Sequence, residues 1–316
     1  MGLFSKSAED KKKHIISILF MVVGIISIVQ GLRELLSYSV TDKHSYEVAK
    51  VLRERRVVRE RSLTETPLKL IRDVFDFPTD PSDKSLLWYV PRNGDASIQE
   101  IVSQCHLPQL IDTSTTEGIE QVITSKLTGN EVGNLIISSY FFEASKIMTE
   151  EFKGRAFTFM RDPIEREFAH YAELKQNNHL NMMLEGYVAS EYSGNNMMMR
   201  RLIGKEKGNL TIDDYETAKL ILREKCFVLL TDEIEESFDR WSQLNHGTQI
   251  DDAEWSCIGD MIVHVFTKGK DISLSQYSVS ERNLLYRANT FDVKLYQYAK
   301  YLFLQQGMWF KEHLHS

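Results

Sequence analysis

One corner of the chain constrains the fold more than any other feature. Residues 157–160 are apolar and rich in β-forming side chains, and Arg161, Asp162 and Pro163 follow them directly. Asp162 suits a helix N-cap and Pro163 suits the first helical position, so the pattern predicts a strand, a turn and a helix. Arg161 would then lie at the carboxyl end of a strand, where α/β sheets bind ligands, and its planar fork suits a phosphate. An ordinary strand-to-helix corner without a ligand is the alternative.

A second corner of the same kind precedes the first in the chain. Residues 85–90 indicate a buried strand, residues 91–97 (PRNGDAS) form a polar loop, and a helical pattern starts at Ile98. A loop with a basic residue and a glycine before a helix is typical of phosphate-binding sites, because it presents backbone N–H groups and the positive end of the helix dipole. The Gly-Lys-Ser/Thr ending of nucleotide triphosphatases is absent, which argues against a P-loop kinase.

Apolar runs alternate with helical patterns through the rest of the chain. Residues 134–138 and 226–230 indicate further buried strands, while 144–151 and 213–224 indicate helices. Such alternation predicts an α/β fold with a parallel sheet flanked by helices. A length of 316 residues with 42% hydrophobic side chains suits one sizeable core, and a formal net charge of −7 argues against a nucleic-acid partner.

The N-terminal part of the sequence predicts a membrane anchor. Residues 15–32 carry no charge and are long enough to span a bilayer, and the lysines at 11–13 favour a cytoplasmic N-terminus. A cleaved signal peptide is the alternative, although residues 31–33 (GLR) are not a small-x-small cleavage site. We therefore expect four segments: a cytoplasmic tail (1–14), a transmembrane helix (15–32), a polar stem (33–83) and a luminal domain (84–316).

Three later segments complete a pattern with the two corners. They are residues 196–200 with an Asn-x-x-x-Arg spacing, a stretch at 218–237 that ends in Glu-Glu-Ser, and residues 289–296 with Asn-x-x-Asp-x-x-Leu-Tyr. Together with Arg-Asp-Pro-x-x-Arg at 161–166, and in this order, they make the chain similar to the Golgi-type membrane-bound carbohydrate sulfotransferase family, as a divergent member. The resemblance covers residues 85–307.

The resemblance implies a P-loop-like sulfotransferase fold in a single-pass type II protein of the Golgi membrane. It also implies transfer of a sulfuryl group from 3′-phosphoadenosine 5′-phosphosulfate to a carbohydrate hydroxyl of a glycan acceptor, without a metal. Arg161 and the side chain at position 169 would hold the 3′-phosphate, and Arg200 would line the cofactor cleft. The 5′-phosphosulfate would be held by the first loop, which contributes Arg92, Asn93, Gly94, Asp95, Ala96 and Ser97.

Three positions differ from the family pattern. Arg92 replaces a lysine, which keeps the charge but changes its geometry, while Asp95 replaces a glycine and Ala169 replaces a serine hydroxyl. Arg201 stands where the family usually has an apolar residue. The first three differences motivate a second hypothesis, a membrane-anchored glycan-binding or interaction protein that keeps the fold without catalysis.

Sulfuryl transfer needs a base for the acceptor hydroxyl and a positive charge on the leaving oxygen. Arg92 is the candidate for that charge. Glu143, shortly after the predicted strand at 134–138, is the candidate base, with Tyr140 as a second choice. The alternative is that Glu143 only favours the dipole of the helix that follows. We interpret His170 as a helix-surface residue.

The three cysteines show no metal-ligand spacing, so no zinc site is expected. Cys226 lies in a predicted strand and should pack in the core, while Cys105 and Cys257 are candidates for pairing in an oxidising lumen. Residues 209–211 (Asn-Leu-Thr) form a sequon for N-glycosylation, or alternatively an unmodified helix cap. The identity of the acceptor glycan and homodimer formation are left open.

Overall fold

The computed structural model describes residues 67–76, 83–90, 105, 113, 115–125, 135–176, 181–244, 252–253, 256–257, 259–261 and 277–313. All of them belong to one compact unit, Arg61–Ser316. The predicted transmembrane helix at 15–32, the predicted stem up to residue 66 and the first loop at 91–97 lie outside the described residues. Within the ranges just given, no helix combines the length and the apolar character that a bilayer span requires.

Four parallel strands form the sheet, in the spatial order β2-β1-β3-β4. The strands are β1 (Lys84–Tyr89), β2 (Leu135–Ser138), β3 (Gly154–Met160) and β4 (Cys226–Leu230). The register pairs Trp88 with Ser138 on one side of β1 and with Thr158 on the other. The sequence-based prediction of an α/β fold with a parallel sheet is confirmed.

The strand order places a topological switch point between β1 and β3. From β1 the chain moves outward to β2, whereas from β3 it moves outward in the opposite direction to β4. The connections that leave the carboxyl ends of β1 and β3 therefore diverge, and such a divergence opens the crevice in which α/β sheets bind ligands. Arg161 begins one of these connections, and the residues after Val90 begin the other.

Nine helices with defined bounds accompany the sheet in the described part of the chain. They are α1 (Thr116–Thr124), α2 (Phe141–Ala144), α3 (Pro163–Gln176), α4 (Leu184–Val188), α5 (Met197–Ile203), α6 (Ile212–Lys225), α7 (Ile234–Leu244), α8 (Val279–Ala288) and α9 (Thr290–His313). Three N-termini are capped by hydroxyls of Thr115, Thr211 and Ser278, of which the last two form capping boxes with Asp214 and Glu281.

The predicted helix at 144–151 is wrong in its position. The helical segment begins earlier, as α2, and continues only through a 3₁₀ turn at Ser145–Ile147. Met148 is already extended, with φ −66° and ψ 145°. The hydroxyl of Ser145 donates to the carbonyl of Phe142, and the N–H of Thr149 donates to Phe152 O, so local turn bonds replace helical ones.

Both faces of the sheet are buried, as is usual for parallel strands. Alternate residues of each strand face opposite layers. One layer joins the sheet to α1, α2, α5, α6 and α9, with sheet residues Leu86, Trp88, Val90, Ile136, Ala156, Met160, Cys226, Val228 and Leu230. The other joins it to α7 and the end of α9, with Leu87, Tyr89, Ile137, Phe157, Phe159, Phe227 and Leu229.

Residues 67–76 pack on the domain, although they fall within the segment predicted as stem. Leu68, Ile71 and Val74 are buried, and the N–H of Arg72 donates to Gly154 O at 2.7 Å. A Cβ at position 154 would lie 2.7 Å from Ile71 Cδ1, so a larger residue there would require the end of the Ile71 side chain to shift. The limits of the remaining stem stay a prediction.

A glutamine of α9 covers the edge of β4. The side chain of Gln306 is 2% exposed and accepts from the N–H of Val228 at 2.8 Å while it donates to Cys226 O at 3.0 Å. An amide is the one neutral side chain that both donates and accepts like a backbone peptide. Gln306 thus takes the place of a fifth strand over these two residues.

Candidate functional site

Arg161 lies at the carboxyl edge of the sheet, directly after β3 and beside the end of β1. Its side chain is 11% exposed, and its Nε lies 3.8 Å from Glu165 Oε2. Burial lowers the pKa of Arg161, while the charges of Glu165, Asp232 and Asp162 oppose that shift. An arginine keeps its proton at any physiological pH, so the edge carries one fixed, largely desolvated cation.

The turn after Arg161 is built as the sequence predicts. Asp162 Oδ1 accepts from the N–H groups of Ile164 at 2.8 Å and Glu165 at 3.2 Å, and Pro163 occupies the first position of α3. Because the Asp162 carboxylate already binds these N–H groups, they are not available to an external anion. A phosphate at this corner would have to be held by the arginine rather than by the helix terminus.

Asp232 brings a second charged group to the same edge, and our sequence analysis did not select it. It follows β4 by two residues, and its Oδ2 accepts from the hydroxyl of Tyr296 at 2.8 Å. Burial of Tyr296, together with the adjacent Asp232 charge, raises the pKa of this hydroxyl. The rule that selected Arg161, a charged residue just after a strand, would also have selected Asp232.

Ala169 lies on α3, two turns beyond Arg161, and is half-buried. Its methyl group cannot donate a hydrogen bond, so any 3′-phosphate interaction from this helix position is missing. Arg161 would therefore act without the hydroxyl that the resembling family has there.

The second arginine of the Arg-Asp-Pro-x-x-Arg motif, Arg166, belongs to a buried network of polar side chains. Arg166 is fully buried, and its Nη2 lies 3.2 Å from Asp292 Oδ2 and 3.3 Å from Glu167 Oε1. Glu167 in turn accepts from the Tyr187 hydroxyl at 2.8 Å and from the N–H of Gly194 at 2.9 Å. This buried network joins α3, α4 and α9 and leaves Arg166 no access to a ligand.

Two further motif residues cap helices. Asn196 has a left-handed backbone, with φ 59° and ψ 41°, which asparagine tolerates better than most residues. Its Oδ1 accepts from the N–H groups of Phe291 and Asp292, at the start of α9. The carboxylate of Asp292 accepts from the N–H groups of Met198 and Met199, at the start of α5.

Arg200, predicted to line the cofactor cleft, is engaged by backbone carbonyls. Its Nε donates to Asn195 O at 3.0 Å, and its Nη1 donates to Gly208 O at 3.0 Å and Lys205 O at 3.3 Å. These bonds fix the loop after α5. A role of Arg200 in cofactor binding stays a prediction.

Glu143, the candidate base, follows β2 and lies in α2. Lys146 Nζ forms a close ion pair with Glu143 Oε2, and the two side chains are 41% and 31% exposed. The lysine would compete with an acceptor hydroxyl for this oxygen. Since β1 lies between β2 and β3, Glu143 and Arg161 follow strands separated by two strand spacings, roughly 10 Å.

The second-choice base, Tyr140, lies at the N-terminus of α2. Its backbone N–H donates to Ser138 Oγ at 3.1 Å. The guanidinium carbon of Arg201 lies 3.4 Å from the centre of its ring, so the two side chains are stacked. The first loop, residues 91–97, lies outside the described residues; Val90, the last described residue before it, follows β1, which lies between β2 and β3.

The predicted disulfide is present. Cys105 and Cys257 are bonded, with their Cα atoms 5.6 Å apart. Cys226 is a buried free thiol, and burial raises its pKa. Among the residues that the structure describes, no group of His, Cys, Asp and Glu side chains is arranged to hold a metal ion.

Comparison with known proteins does not assign the chain to a family. No protein-family model matches the chain, and no curated protein matches it either.

Proposed function

We propose that the protein transfers a sulfuryl group from 3′-phosphoadenosine 5′-phosphosulfate to a carbohydrate hydroxyl, on a sulfotransferase variant of the α/β fold. The observation that carries the proposal is the position of Arg161. It lies at the carboxyl end of β3, beside the end of β1, where the strand order creates a switch point. The strands that lead into the two corners, β1 and β3, are therefore neighbours, and α/β sheets bind ligands at the carboxyl ends of such a strand pair.

Each residue then has a defined task. Arg161 binds the 3′-phosphate of the nucleotide, and the loop at 91–97 binds the 5′-phosphosulfate. Glu143 accepts the proton of the acceptor hydroxyl, whose oxygen forms a new bond to sulfur. The bond from sulfur to the 5′-phosphate oxygen breaks, and Arg92 stabilises the negative charge that develops on that oxygen.

The disulfide supports a secretory location, since such bonds persist in oxidising compartments. Together with the uncharged segment at 15–32, it favours a type II protein of the Golgi membrane with a luminal domain.

A second function is favoured by specific observations at the same site. Glu143 is paired with Lys146, and Ala169 cannot donate to a phosphate. Both features suit a membrane-anchored glycan-binding protein that has lost catalysis.

Calorimetric titration with adenosine 3′,5′-bisphosphate tests the site. We expect the wild type to bind and Arg161→Ala to weaken binding by about tenfold to a hundredfold, as for loss of a charge-assisted hydrogen bond. Arg287→Ala, on the exposed end of α8, is the matched control and should bind as the wild type does. Folded wild-type protein that binds no nucleotide would reject the proposal.

Transfer of labelled sulfate to a panel of glycans separates the two functions. Turnover by the wild type identifies an enzyme. Nucleotide-independent glycan binding without turnover identifies the glycan-binding protein.

A further inference from the structure

A polar cleft lies beside α5, and its lining includes Arg200, the residue predicted to line the cofactor cleft. It has a volume of about 540 Å³ and is formed by residues between Glu191 and Asn209. Its lining includes Ser193, Asn195, Arg201, Glu206 and Lys207.

The two neighbouring arginines of α5 differ in their hydrogen bonds. Arg200 donates to three backbone carbonyls and thereby builds the wall of the cleft. Arg201 makes one ion pair, in which its Nε lies 3.5 Å from Glu206 Oε1. Its Nη1 is buried and finds no hydrogen-bond partner in the described structure. Arg201 thus has a buried donor group without a hydrogen-bond partner.

A second buried group in the cleft lacks a partner in the same way. Ser193 Oγ is buried, and no described residue forms a hydrogen bond with it. Buried donors without partners are rare in native proteins, because each one costs about 1–3 kcal/mol. Two such atoms belong to residues that line one cleft, and a ligand bound there would supply their missing hydrogen bonds.

The guanidinium of Arg201 is held in a fixed plane. It lies 3.4 Å above the ring of Tyr140, the residue that leads from β2 into α2. The cleft therefore adjoins the carboxyl edge of the sheet on the side of Glu143. A stacked, planar guanidinium suits carboxylate and sulfate groups, which it can bind through two parallel hydrogen bonds.

We infer that this cleft binds an anionic carbohydrate, with Arg201 on its carboxylate or sulfate and Ser193 on a neighbouring oxygen. Glu206 is the carboxylate that pairs with Arg201. Its side chain is 51% exposed and can move into solvent when the ligand's anion replaces it. This assignment deepens the proposed function, on which it rests, by making the acceptor a charged glycan rather than a neutral one.

Binding to three hexasaccharides tests the inference with the full-length chain. One carries uronic acid carboxylates, one carries sulfate esters without carboxylates, and one is neutral. We expect Arg201→Gln to weaken binding of at least one anionic hexasaccharide by about tenfold or more, since a bidentate charged contact is lost. Glu206→Gln should strengthen the same binding, because it removes the competing carboxylate. The anionic hexasaccharide whose binding changes shows whether Arg201 binds a carboxylate or a sulfate.

Arg287→Gln removes one arginine from an exposed position outside the cleft and is the matched control. Arg201→Lys keeps the charge without the fork and should fall between wild type and Arg201→Gln; it also serves if Arg201→Gln does not fold. Equal affinities of wild type and Arg201→Gln, weaker binding by Glu206→Gln, or preference for the neutral hexasaccharide would overturn the inference.

Adenosine 3′,5′-bisphosphate is titrated into the same variants. Nucleotide binding that is unchanged in Arg201→Gln, while binding of the anionic hexasaccharide falls, supports separate nucleotide and acceptor sites. If nucleotide binds and no hexasaccharide depends on Arg201, the acceptor cleft is rejected and the nucleotide site stands. If no nucleotide binds but Arg201 controls glycan affinity, the glycan-binding function stands and the enzyme is rejected.

Discussion

Asn196 and Asp292 cap each other's helices. The amide oxygen of Asn196 binds two N–H groups at the start of α9, and the carboxylate of Asp292 binds two at the start of α5. The same carboxylate is paired with the buried Arg166. Residues of the sequence pattern that resembles the sulfotransferase family thus hold α3, α5 and α9 together.

Replacing Asp292 tests how much these interactions contribute to the stability of the fold. Asp292→Asn keeps the shape but leaves the buried Arg166 with less counter-charge, so we expect the free energy of unfolding to fall by about 3–5 kcal/mol. Urea denaturation measures the change. Glu185→Gln, which neutralises an exposed carboxylate on α4, should shift it by less than about 0.5 kcal/mol. Similar values for the two variants would contradict a central role of Asp292.

Asn196 combines a capping side chain with a left-handed backbone, and two substitutions separate these properties. Asn196→Gly removes the cap but keeps the backbone favourable, and we expect a loss of about 0.5–2 kcal/mol in unfolding free energy. Asn196→Ala should lose about a further 1 kcal/mol, because alanine is strained at φ 59°. Thermal and urea unfolding rank the stabilities of the two variants. An Asn196→Ala variant more stable than Asn196→Gly would contradict a left-handed backbone at this position.

The stability that Asp214 provides should depend on pH. Partial burial favours the neutral form of this carboxyl, but hydrogen bonds from Lys205 and Thr211 outweigh it, so the pKa of Asp214 is lowered. A lowered pKa in the folded state means that the carboxylate stabilises the fold above the ordinary aspartate pKa, about 3.9, and that this contribution disappears as the pH falls through the folded value.

Asp214→Asn should therefore lower the unfolding free energy by about 1 kcal/mol at pH 7, through the weakened cap of α6. The difference from wild type should shrink at pH 3. Urea denaturation at both pH values measures this difference in unfolding free energy. A larger difference at pH 3 than at pH 7 would contradict the lowered pKa of Asp214.

Three substitutions restore the family pattern at the nucleotide site. Ala169→Ser adds a hydroxyl donor and should tighten binding of adenosine 3′,5′-bisphosphate by about fivefold, close to 1 kcal/mol. Asp95→Gly removes a negative charge and should tighten it further, while Arg92→Lys should keep or raise turnover. Calorimetry and sulfate transfer provide the readouts. Weaker binding by Ala169→Ser would place position 169 away from the phosphate.

Cysteine labelling checks the covalent structure. In the native protein without reductant, iodoacetamide should modify no cysteine, because Cys105 and Cys257 are bonded and Cys226 is buried with a raised pKa. In denaturant without reductant, only Cys226 should be modified, and with reductant all three. Mass spectrometry distinguishes these states. Labelling of Cys105 in the oxidised, denatured chain would exclude the disulfide.

The sequence predicted those features whose interactions are local. The cap of α3 by Asp162 bonds residues within one turn, so it leaves a readable pattern. The Asn196–Asp292 caps join residues 96 apart, and Arg166 meets its carboxylate across 126 residues. No local spacing encodes such pairs, so the sequence alone does not reveal that Arg166 packs against Asp292.

Helix α9 constrains the order in which the domain can fold. It follows, in chain order, every strand and helix that it supports, and it supplies the counter-charge of Arg166 and the amide that covers the edge of β4. A nascent chain that lacks α9 exposes an open strand edge and a buried-type arginine without its aspartate. A chain in which α9 has not docked is therefore prone to self-association through that edge, and we expect truncations within α9 to be recognised by quality control as unfolded protein.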